Sequence, residues 1–372
     1  MQVSQVDLAS RRQVRAFVEL PFALYHHCPQ WVPPLVGDVY RALDPRRHPF
    51  YQHSAAAYFL AEDNGRLVGR IAAMDNRRHN EYRGSHTALF GFFECCEDGA
   101  VARALFDAAV AWARARGLRD MLGPKGLLRA DGMGILVEGH AHRPAVGIPY
   151  NLPYYGRLIE DIGFAKEIDY HSGLLRAEYR LPARILELAE RVKERRGFRI
   201  LTFRTKNELR AWAPAIRQVY NQAFAQVWGF YPMGKEDLQA TVRGLMAIAD
   251  PRLVKLVLKD EAVVGFLLAY PDISAGLQAA RGRLWPLGWW HILRAQCRTR
   301  WINVNGLGLL PEYQGLGANA VLYAELQASI LARGADYADL AQVAETNAQS
   351  MGEMKALGVE WYKRHRIYRR EL

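Results

Sequence analysis

The sequence has 372 residues and a formal net charge of +11, and half of its residues are hydrophobic while 23% are charged. This composition excludes a disordered or fibrous chain, and the length is sufficient for two globular domains. The basic balance favours an anionic partner, such as a phosphate-rich cofactor, nucleic acid or a lipid surface, although a solvated arginine-rich surface gives the same charge.

The cysteines and the apolar runs bear on the cellular compartment of the protein. Cys28, Cys95, Cys96 and Cys297 show no CxxC spacing, so they predict neither a disulfide framework nor a zinc site. Reduced thiols fit a cytoplasmic protein. The first residues show no apolar core of a signal peptide, and no apolar run reaches the ~18 residues of a membrane span.

The first half of the chain predicts a hairpin, a long helix and a final helix–strand unit. Residues 59–76, FLAEDNGRLVGRIAAMDN, read as two strands around a polar turn. A helical pattern ends at Gly117, because glycine supplies a helix stop. Residues 158–175 then read as a helix end, a stop at Gly163 and a strand.

The second half repeats this plan. Residues 255–272 predict another hairpin, a long helix ends at Gly334, and residues 354–371 repeat the helix, glycine stop and strand. The spacing between the hairpin glycines Gly69 and Gly265 agrees within one residue with the spacing between Gly163 and Gly358. Two agreeing spacings indicate a duplicated domain.

We therefore predict domains at 1–178 and 199–372, joined by a linking helix within 179–198. Each is an α/β domain with a mixed sheet covered by helices on both faces. The halves differ by insertions, one before the long helix of the second half and one after that of the first.

The stretch LLPEYQGLGANA (309–320) is a glycine-rich turn between a strand and a helix. Glycines let backbone N–H groups approach a bulky ligand, and the helix N-terminus offers unpaired donors and partial positive charge. That arrangement suits phosphate or pyrophosphate. The stretch lacks the third glycine of a dinucleotide fingerprint and the GxxxxGK[ST] pattern of a P-loop.

This turn resembles the cofactor loop, [Q/R]xxGx[G/A], of the GNAT N-acyltransferase superfamily. Gln314, Gly315, Leu316, Gly317 and Ala318 match the pattern, whereas Asn319 departs from the family's glycine or alanine. A second signature follows, with Asn347 leading a helix and Gly358 closing it, so the chain resembles a tandem GNAT protein with two mixed, mostly antiparallel sheets. In the first half, the equivalent segment 92–105 carries one glycine and three acids, so this half resembles the fold without its loop.

The resemblance implies direct transfer of an acyl group from acetyl-CoA or a longer acyl-CoA to a primary amine, without a metal. It implies a cofactor site formed by Leu309, Leu310, Gln314, Gly315, Leu316, Gly317, Ala318 and Asn319. Glu345 and Asn347 are the predicted catalytic residues, with Glu345 as the base and Asp339, placed on the strand itself, as the second candidate for that role. The position of the family's proton-donating tyrosine falls on Met354, so Tyr362, Tyr368 or water would protonate the leaving sulfur.

The acceptor side is expected around residues 218–233, and the predicted substrate contacts are Asn221, Trp228 and Tyr231. The arginine- and tryptophan-rich insertion at 283–301 is typical of a lid, a membrane-surface contact, a dimer contact or an interdomain packing helix. The acceptor is a small-molecule or peptide amine, and nucleic acid is not the expected partner.

Two other functions fit the same residues. An aminoacyl-tRNA-dependent transferase also pairs two GNAT-like folds and suits a basic protein, but it does not need the QGLG turn. A non-catalytic CoA-binding or interaction protein is compatible with Met354 and Asn319.

Overall fold

The computed structural model describes residues 1–129, 131–176 and 178–372. The chain divides into two compact units. The first consists of residues 1–170, 274–292 and 363–372, and the second of residues 171–273 and 293–362. The last strand, which the repeat assigns to the second half, pairs through its end with strands of the first unit, Tyr368 with Gly123 and His365 with Leu136.

The first unit contains two helices before its hairpin and one long helix after its central strand. Its elements are β1 (Gln2–Gln5), α1 (Arg11–Leu24), α2 (Val36–Ala42), β2 (Ala55–Asp63), β3 (Arg66–Asp75), α3 (Arg77–Arg83), β4 (Thr87–Cys95), α4 (Gly99–Arg114), β5 (Asp120–Gly123), β6 (Ile135–Glu138), α5 (Tyr155–Glu160) and the first half of β7 (Ala165–Arg176).

The second unit repeats the order behind a leading helix. Its elements are α6 (Ala183–Arg196), β8 (Arg199–Thr202), α7 (Lys206–Ala211), α8 (Ala213–Ala223), α9 (Lys235–Ile248), β9 (Lys255–Lys259), β10 (Ala262–Pro271), α10 (Ser274–Ala279), α11 (Gly288–Arg298), β11 (Trp301–Leu309), α12 (Ala318–Arg333), β12 (Tyr337–Ala344), α13 (Ala348–Ala356) and β13 (Glu360–Glu371). Of these, α10, the start of α11 and the end of β13 group with the first unit.

Each unit has a mostly antiparallel sheet with one parallel step. In the first unit, strands β1 to β5 lie in sequence order, and only β4 and β5 are parallel among these pairs. In the second, the order β8–β9–β10–β11–β12 repeats the pattern, and β11 and β12 form the parallel pair. The predicted fold class, a mixed and mostly antiparallel α/β arrangement, is confirmed.

Both sheets are covered on two faces, because alternate strand residues point to opposite sides. In the first unit, one face packs Ile71 against Phe106 of α4, and the other packs Ala72 against Phe17 of α1. In the second unit, side chains on one face of the sheet pack β10 against α12 and α6. Side chains on the opposite face pack β9 and β10 against α8. The predicted linking helix is α6, and it packs along α12.

The hairpin glycines Gly69 and Gly265 occupy equivalent, crowded places. A Cβ on Gly69 would meet Leu105 Cδ1 of α4 at 2.7 Å. A Cβ on Gly265 would meet Val257 Cγ1 at 2.8 Å and the backbone oxygen of Gly308 at 2.9 Å. Close approach, and not a special backbone angle, therefore requires glycine at both positions.

We expect Gly265→Ala to destabilise the protein by roughly 1–3 kcal/mol, because a backbone oxygen cannot move aside as a flexible side chain can. Gly244→Ala is the matched control, since a Cβ there meets nothing within 4 Å and the site is inside α9. That change should be neutral or slightly stabilising. Urea denaturation measures both, and equal stability of the two variants would contradict the crowding argument.

Candidate active site

The site begins where two parallel strands separate. Strands β11 and β12 are paired from Trp301 with Tyr337 to Val304 with Leu340, and in the described part of the chain their pairing ends there. Both strands continue, to Leu309 and Ala344, so they form an opening between two strands of one sheet. Strand β10 stays paired with β11 through a register shift at Leu268 and Ala269, which lets β11 bend away.

Backbone donors of β11 face this opening. The N–H of Leu310 donates to the carbonyl of Val264 at 2.9 Å, on the β10 side. Because N–H groups alternate between the two edges of a strand, the N–H of Leu309 is directed to the other edge, where β12 has separated. Of the two predicted leucines, Leu309 therefore offers its backbone donor to the opening.

The predicted cofactor loop forms a tight turn at the end of β11. Gly315 and Gly317 have φ angles of 71° and 87°, in the left-handed region that favours glycine. The side chain of Gln314 turns back and donates from Nε2 to the carbonyl of Leu309 at 3.2 Å. Gln314 thus ties the turn to the strand end, and the glycines start α12 immediately afterwards.

The N-terminus of α12 keeps donors available. Its N-cap is Gly317, and no side-chain N-cap bond to it occurs within the described ranges. Asn319 Oδ1 accepts from the N–H of Ala320 at 3.0 Å, so the residue that departs from the family pattern satisfies one donor of the first turn. The N–H groups of Ala318 and Asn319 still lie at the positive end of the helix.

A basic helix end adjoins the same turn. The last turn of α6 carries Lys193, Arg195 and Arg196. Arg196 Nη1 donates to the carbonyl of Leu316 at 3.1 Å, and Val192 would contact a Cβ on Gly317 at 2.7 Å. Lys193 pairs with Glu190 and Glu325, so Arg196 is the cation that adjoins the turn. The turn, the helix N-terminus and Arg196 together form a place that fits a phosphate or pyrophosphate group.

The equivalent places in the first unit are closed. The N-terminus of α4 is capped by Asp98, whose carboxylate accepts from the N–H of Ala100 at 2.7 Å. Strands β4 and β5 also separate, after Leu89 and Leu122, but the N–H of Lys125 donates to the carbonyl of Phe90 at 2.8 Å. The first unit's own carboxylate and backbone thus fill what the second unit leaves open, as the acidic segment predicts.

A row of buried polar side chains lies at the point where β11 and β12 separate. Tyr270 pairs with Asn303, and Asn303 pairs with Asp339, on three neighbouring strands. Cross-strand neighbours share a face of the sheet. The flanking Ala269 and Ile302 belong to the core beneath α12, so the polar row lies on the opposite face, where α8 packs.

The side chains of the polar row are buried, and they differ in hydrogen bonding and in pKa. Asn303 and Asp339 are each 1% exposed. The Nδ2 of Asn303 has no hydrogen-bond partner among the described residues, which in a buried amide indicates a place for water or a ligand. Burial, followed by the carboxylates of Asp272 and Asp339, raises the pKa of Tyr270 above its ordinary value.

Tyr362 completes the row from β13. Its hydroxyl donates to Asp339 Oδ2 at 2.5 Å. The pair places a hydroxyl proton and a carboxylate next to the opening of the strands. Tyr368, the other tyrosine considered from sequence, packs in the core of the first unit, and its hydroxyl donates to Glu160 at 3.0 Å.

The predicted catalytic residues lie at the end of β12. Glu345 follows the strand directly and is half-buried. Asn347 is the N-cap of α13, and its Oδ1 accepts from the N–H of Ser350 at 3.1 Å. Met354 is buried against Leu340 and Leu357, so the residue at the family's tyrosine position is a core side chain.

Of the predicted acceptor residues, Asn221 lies in the last turn of α8, and Trp228 and Tyr231 lie in the loop between α8 and α9. Both ends of the Asn221 amide are bonded to the backbone of Met233, at 3.1 Å and 2.8 Å. Asn221 therefore fixes the loop that carries Trp228 and Tyr231. Trp228 is half-buried and Tyr231 is buried, and their contact with an acceptor stays a prediction.

Sequence reasoning did not select Tyr270, Asp272 or Asn303. Their local signal is a polar side chain in or next to an apolar strand pattern, and it becomes informative once the strand register places Tyr270 and Asn303 beside Asp339. The described ranges contain no group of three or more histidine, cysteine, aspartate or glutamate side chains able to hold a metal ion.

The two mixed sheets, the separated parallel strands and the glycine turn before the long helix define a tandem GNAT fold. A solved tandem GNAT protein from the clavulanic acid biosynthesis pathway covers all of this chain and 98% of its own, with a TM-score of 0.59 and 14% identity. A GCN5-related N-acetyltransferase from Sphaerobacter thermophilus covers all of this chain and 95% of its own, with a TM-score of 0.53 and 15% identity.

Two curated proteins are similar in sequence over nearly their whole length. The chain is 26% identical to protein YghO of Escherichia coli K12, over 98% of this chain and 94% of that protein. It is also 26% identical to the bacterial ceramide synthase of Caulobacter vibrioides, over 100% of this chain and 98% of that protein. No protein-family model matches the sequence.

The capping bond of Asn347 gives a stability prediction. We expect Asn347→Ala to cost about 1 kcal/mol, because the first turn of α13 loses its side-chain acceptor. Asn347→Asp keeps an acceptor at the same place and should retain most of the stability. Thermal unfolding compares the two, and an equal loss in both would show that the side chain stabilises the protein in another way.

Proposed function

We propose that the chain is an N-acyltransferase that transfers an acyl group from acyl-CoA to a primary amine. The observation that carries the proposal is the uncapped N-terminus of α12, which follows a left-handed glycine turn directly after a strand separated from its parallel neighbour. A helix N-terminus of this kind suits pyrophosphate, and an opening between strands suits a narrow chain with amide groups.

In this proposal, different groups of the chain bind different parts of acyl-CoA. The N–H groups of Ala318 and Asn319 face the diphosphate, and Arg196 supplies a cation beside it. The N–H of Leu309 points into the opening, where it would donate to an amide oxygen of the pantetheine arm or to the thioester oxygen. Donors fixed in a strand lose little entropy when they bind, which favours orientation of the reacting carbonyl.

The reaction needs one proton acceptor and one proton donor. The amine nitrogen forms a bond to the thioester carbon, the carbon–sulfur bond breaks, and the amine loses a proton. We propose that Asp339 accepts this proton, because its carboxylate lies in the buried row beside the opening. Tyr362, bonded to Asp339, is then placed to return a proton to the departing thiolate.

Glu345 remains the alternative base. It follows the last residue of β12, beyond the residues paired with β11, and it is less buried than Asp339. The two carboxylates are therefore at different distances from the point where the strands separate. A comparison of their amide variants therefore distinguishes them.

The similarity to a protein named ceramide synthase supports a lipid acceptor. A ceramide is the amide of a long-chain amino alcohol, so its synthesis joins a fatty acyl group to a primary amine. We propose this class of amine, with a long-chain acyl-CoA as donor, for the present chain. The cytoplasmic location stays a prediction; no helix in the described ranges is long and apolar enough to cross a membrane.

The cofactor site is tested by placing a negative charge in the turn. We expect CoA at 100 times its dissociation constant to stabilise the wild-type protein by ~2.7 kcal/mol, and Leu316→Glu to remove most of this effect through repulsion of the phosphates. Leu316 is exposed, so the change does not disturb the core. Gly317 is less suitable, because any side chain there meets Val192 and a left-handed backbone.

Leu331→Glu is the matched control for this measurement. It makes the same substitution at an exposed leucine near the other end of α12. Thermal unfolding with and without CoA should show a full shift in this variant. Equal shifts in both variants would place CoA elsewhere, and no shift in the wild type would contradict an acyl-CoA donor.

The base is tested by Asp339→Asn and Glu345→Gln, assayed with a long-chain acyl-CoA and a long-chain amino alcohol. We expect Asp339→Asn to lower kcat by about 10²–10⁴-fold, because a neutral amide cannot accept the proton. Glu345→Gln should stay within a few-fold of the wild type. CoA binding checks that both variants fold, and the reverse pattern of rates would assign the base to Glu345.

A further inference from the structure

An exposed apolar segment lies in the insertion before β11. Six large apolar side chains within residues 284–293 are exposed, and we call this segment the tryptophan segment; they are Leu284, Trp285, Leu287, Trp289, Trp290 and Leu293. Trp285 is 81% exposed and Leu287 is 63% exposed. Scattered apolar residues on a surface are ordinary, but a concentration of this kind indicates an interaction surface.

The charged residues of the insertion that carries the segment are all arginines. Between Asp272 and Glu312 the sequence contains five arginines and neither aspartate nor glutamate. Arg283 pairs with Glu19 at 2.6 Å, and Arg300 pairs with Asp336 at 2.6 Å. The other three arginines, Arg281, Arg294 and Arg298, are exposed on either side of the tryptophans.

A shallow groove adds a polar place beside the apolar side chains. It has a volume of about 460 Å³, and its lining includes Arg281, Trp285, Leu287 and His291. An arginine next to exposed tryptophan and leucine suits a group that is anionic at one end and apolar at the other. Phospholipids at the surface of a bilayer have this character.

We propose that the tryptophan segment docks on the surface of an anionic lipid bilayer. Tryptophan prefers the interface between headgroups and acyl chains, and exposed arginines are attracted to anionic headgroups. The helix that carries the second half of the segment, α11, has 11 residues and so is far shorter than a membrane span. It therefore lies in the plane of the interface, with its apolar side chains inserted between the lipids.

The charge argues against a second copy of the chain as the partner. A two-fold symmetric interface brings the same patch of both subunits together. Here that would bring the exposed Arg281, Arg294 and Arg298 of both copies towards each other, and like charges at an interface oppose association. An anionic membrane complements the same surface.

The proposal does not depend on the acyl transfer, since it concerns binding to lipid without substrates. If the acceptor is a lipid amine, docking also brings the protein to the phase that holds its substrate. Failure of the acyl-transfer assay would leave the docking result unaffected, and the reverse also holds.

The test is co-sedimentation of the full chain with phosphatidylglycerol-containing vesicles and with pure phosphatidylcholine vesicles. We expect the protein to bind the anionic vesicles, with at least tenfold weaker binding to the neutral ones and a marked loss as salt increases from 50 to 500 mM. Leu287→Glu should weaken binding to the anionic vesicles by at least about tenfold, because it removes an inserted side chain and adds repulsion.

Leu331→Glu again serves as the control, with the same change in charge at an exposed leucine outside the segment, and it should bind as the wild type does. Circular dichroism confirms that each variant folds. Absence of binding by the wild type, or equal binding by the two variants, would overturn the proposal. So would light scattering that shows a dimer in the wild type and a monomer in Leu287→Glu without vesicle binding, because the segment would then join two copies.

Discussion

The short parallel pairing of β11 and β12 is the constraint on which the candidate site depends. A strand must pair to satisfy its backbone groups, yet these strands separate after Val304 and Leu340 and leave an edge of β11 without its neighbour. Such an edge is stable only if another group uses its donors, whether water or a ligand. The bend in β11 comes from its register shift against β10. The opening between β11 and β12 therefore depends on how β11 pairs with the hairpin strand β10.

The two units show how a duplicated fold can keep or lose a binding site. Both contain a parallel pair that separates and a long helix that follows the central strand. In the first unit Asp98 satisfies the helix N-terminus, and backbone around Lys125 lies against β4 where a ligand would enter. The second unit has glycine at the cap instead. One carboxylate at a helix N-terminus is thus enough to replace an external anion, because both satisfy the same orphan donors.

The sequence predicts the repeated elements well because the backbone at their marker positions requires glycine for a physical reason. Gly163 and Gly358 end helices in the left-handed conformation, and Gly69 and Gly265 allow close approach within the sheet. The polar row could not be predicted in the same way. Tyr270, Asn303 and Asp339 are far apart in sequence, and only the strand register brings them together. The capping role of Asn347 and the burial of Met354 also depend on packing that the pattern of residues does not contain.

The insertion before β11 relates the positive charge of the chain to the anionic groups that it is proposed to bind. The acid-free stretch between Asp272 and Glu312 contains the tryptophan segment, all of β11 and the first residues of the turn. Phospholipid headgroups and the phosphates of CoA are both anionic, so one bias in composition favours both interactions. Exposed charges separated by more than about 8 Å are largely screened at physiological salt, so each anion must be held by its local cations and not by the net charge. Arg196 beside Leu316, and Arg281 beside the tryptophans, meet this requirement separately.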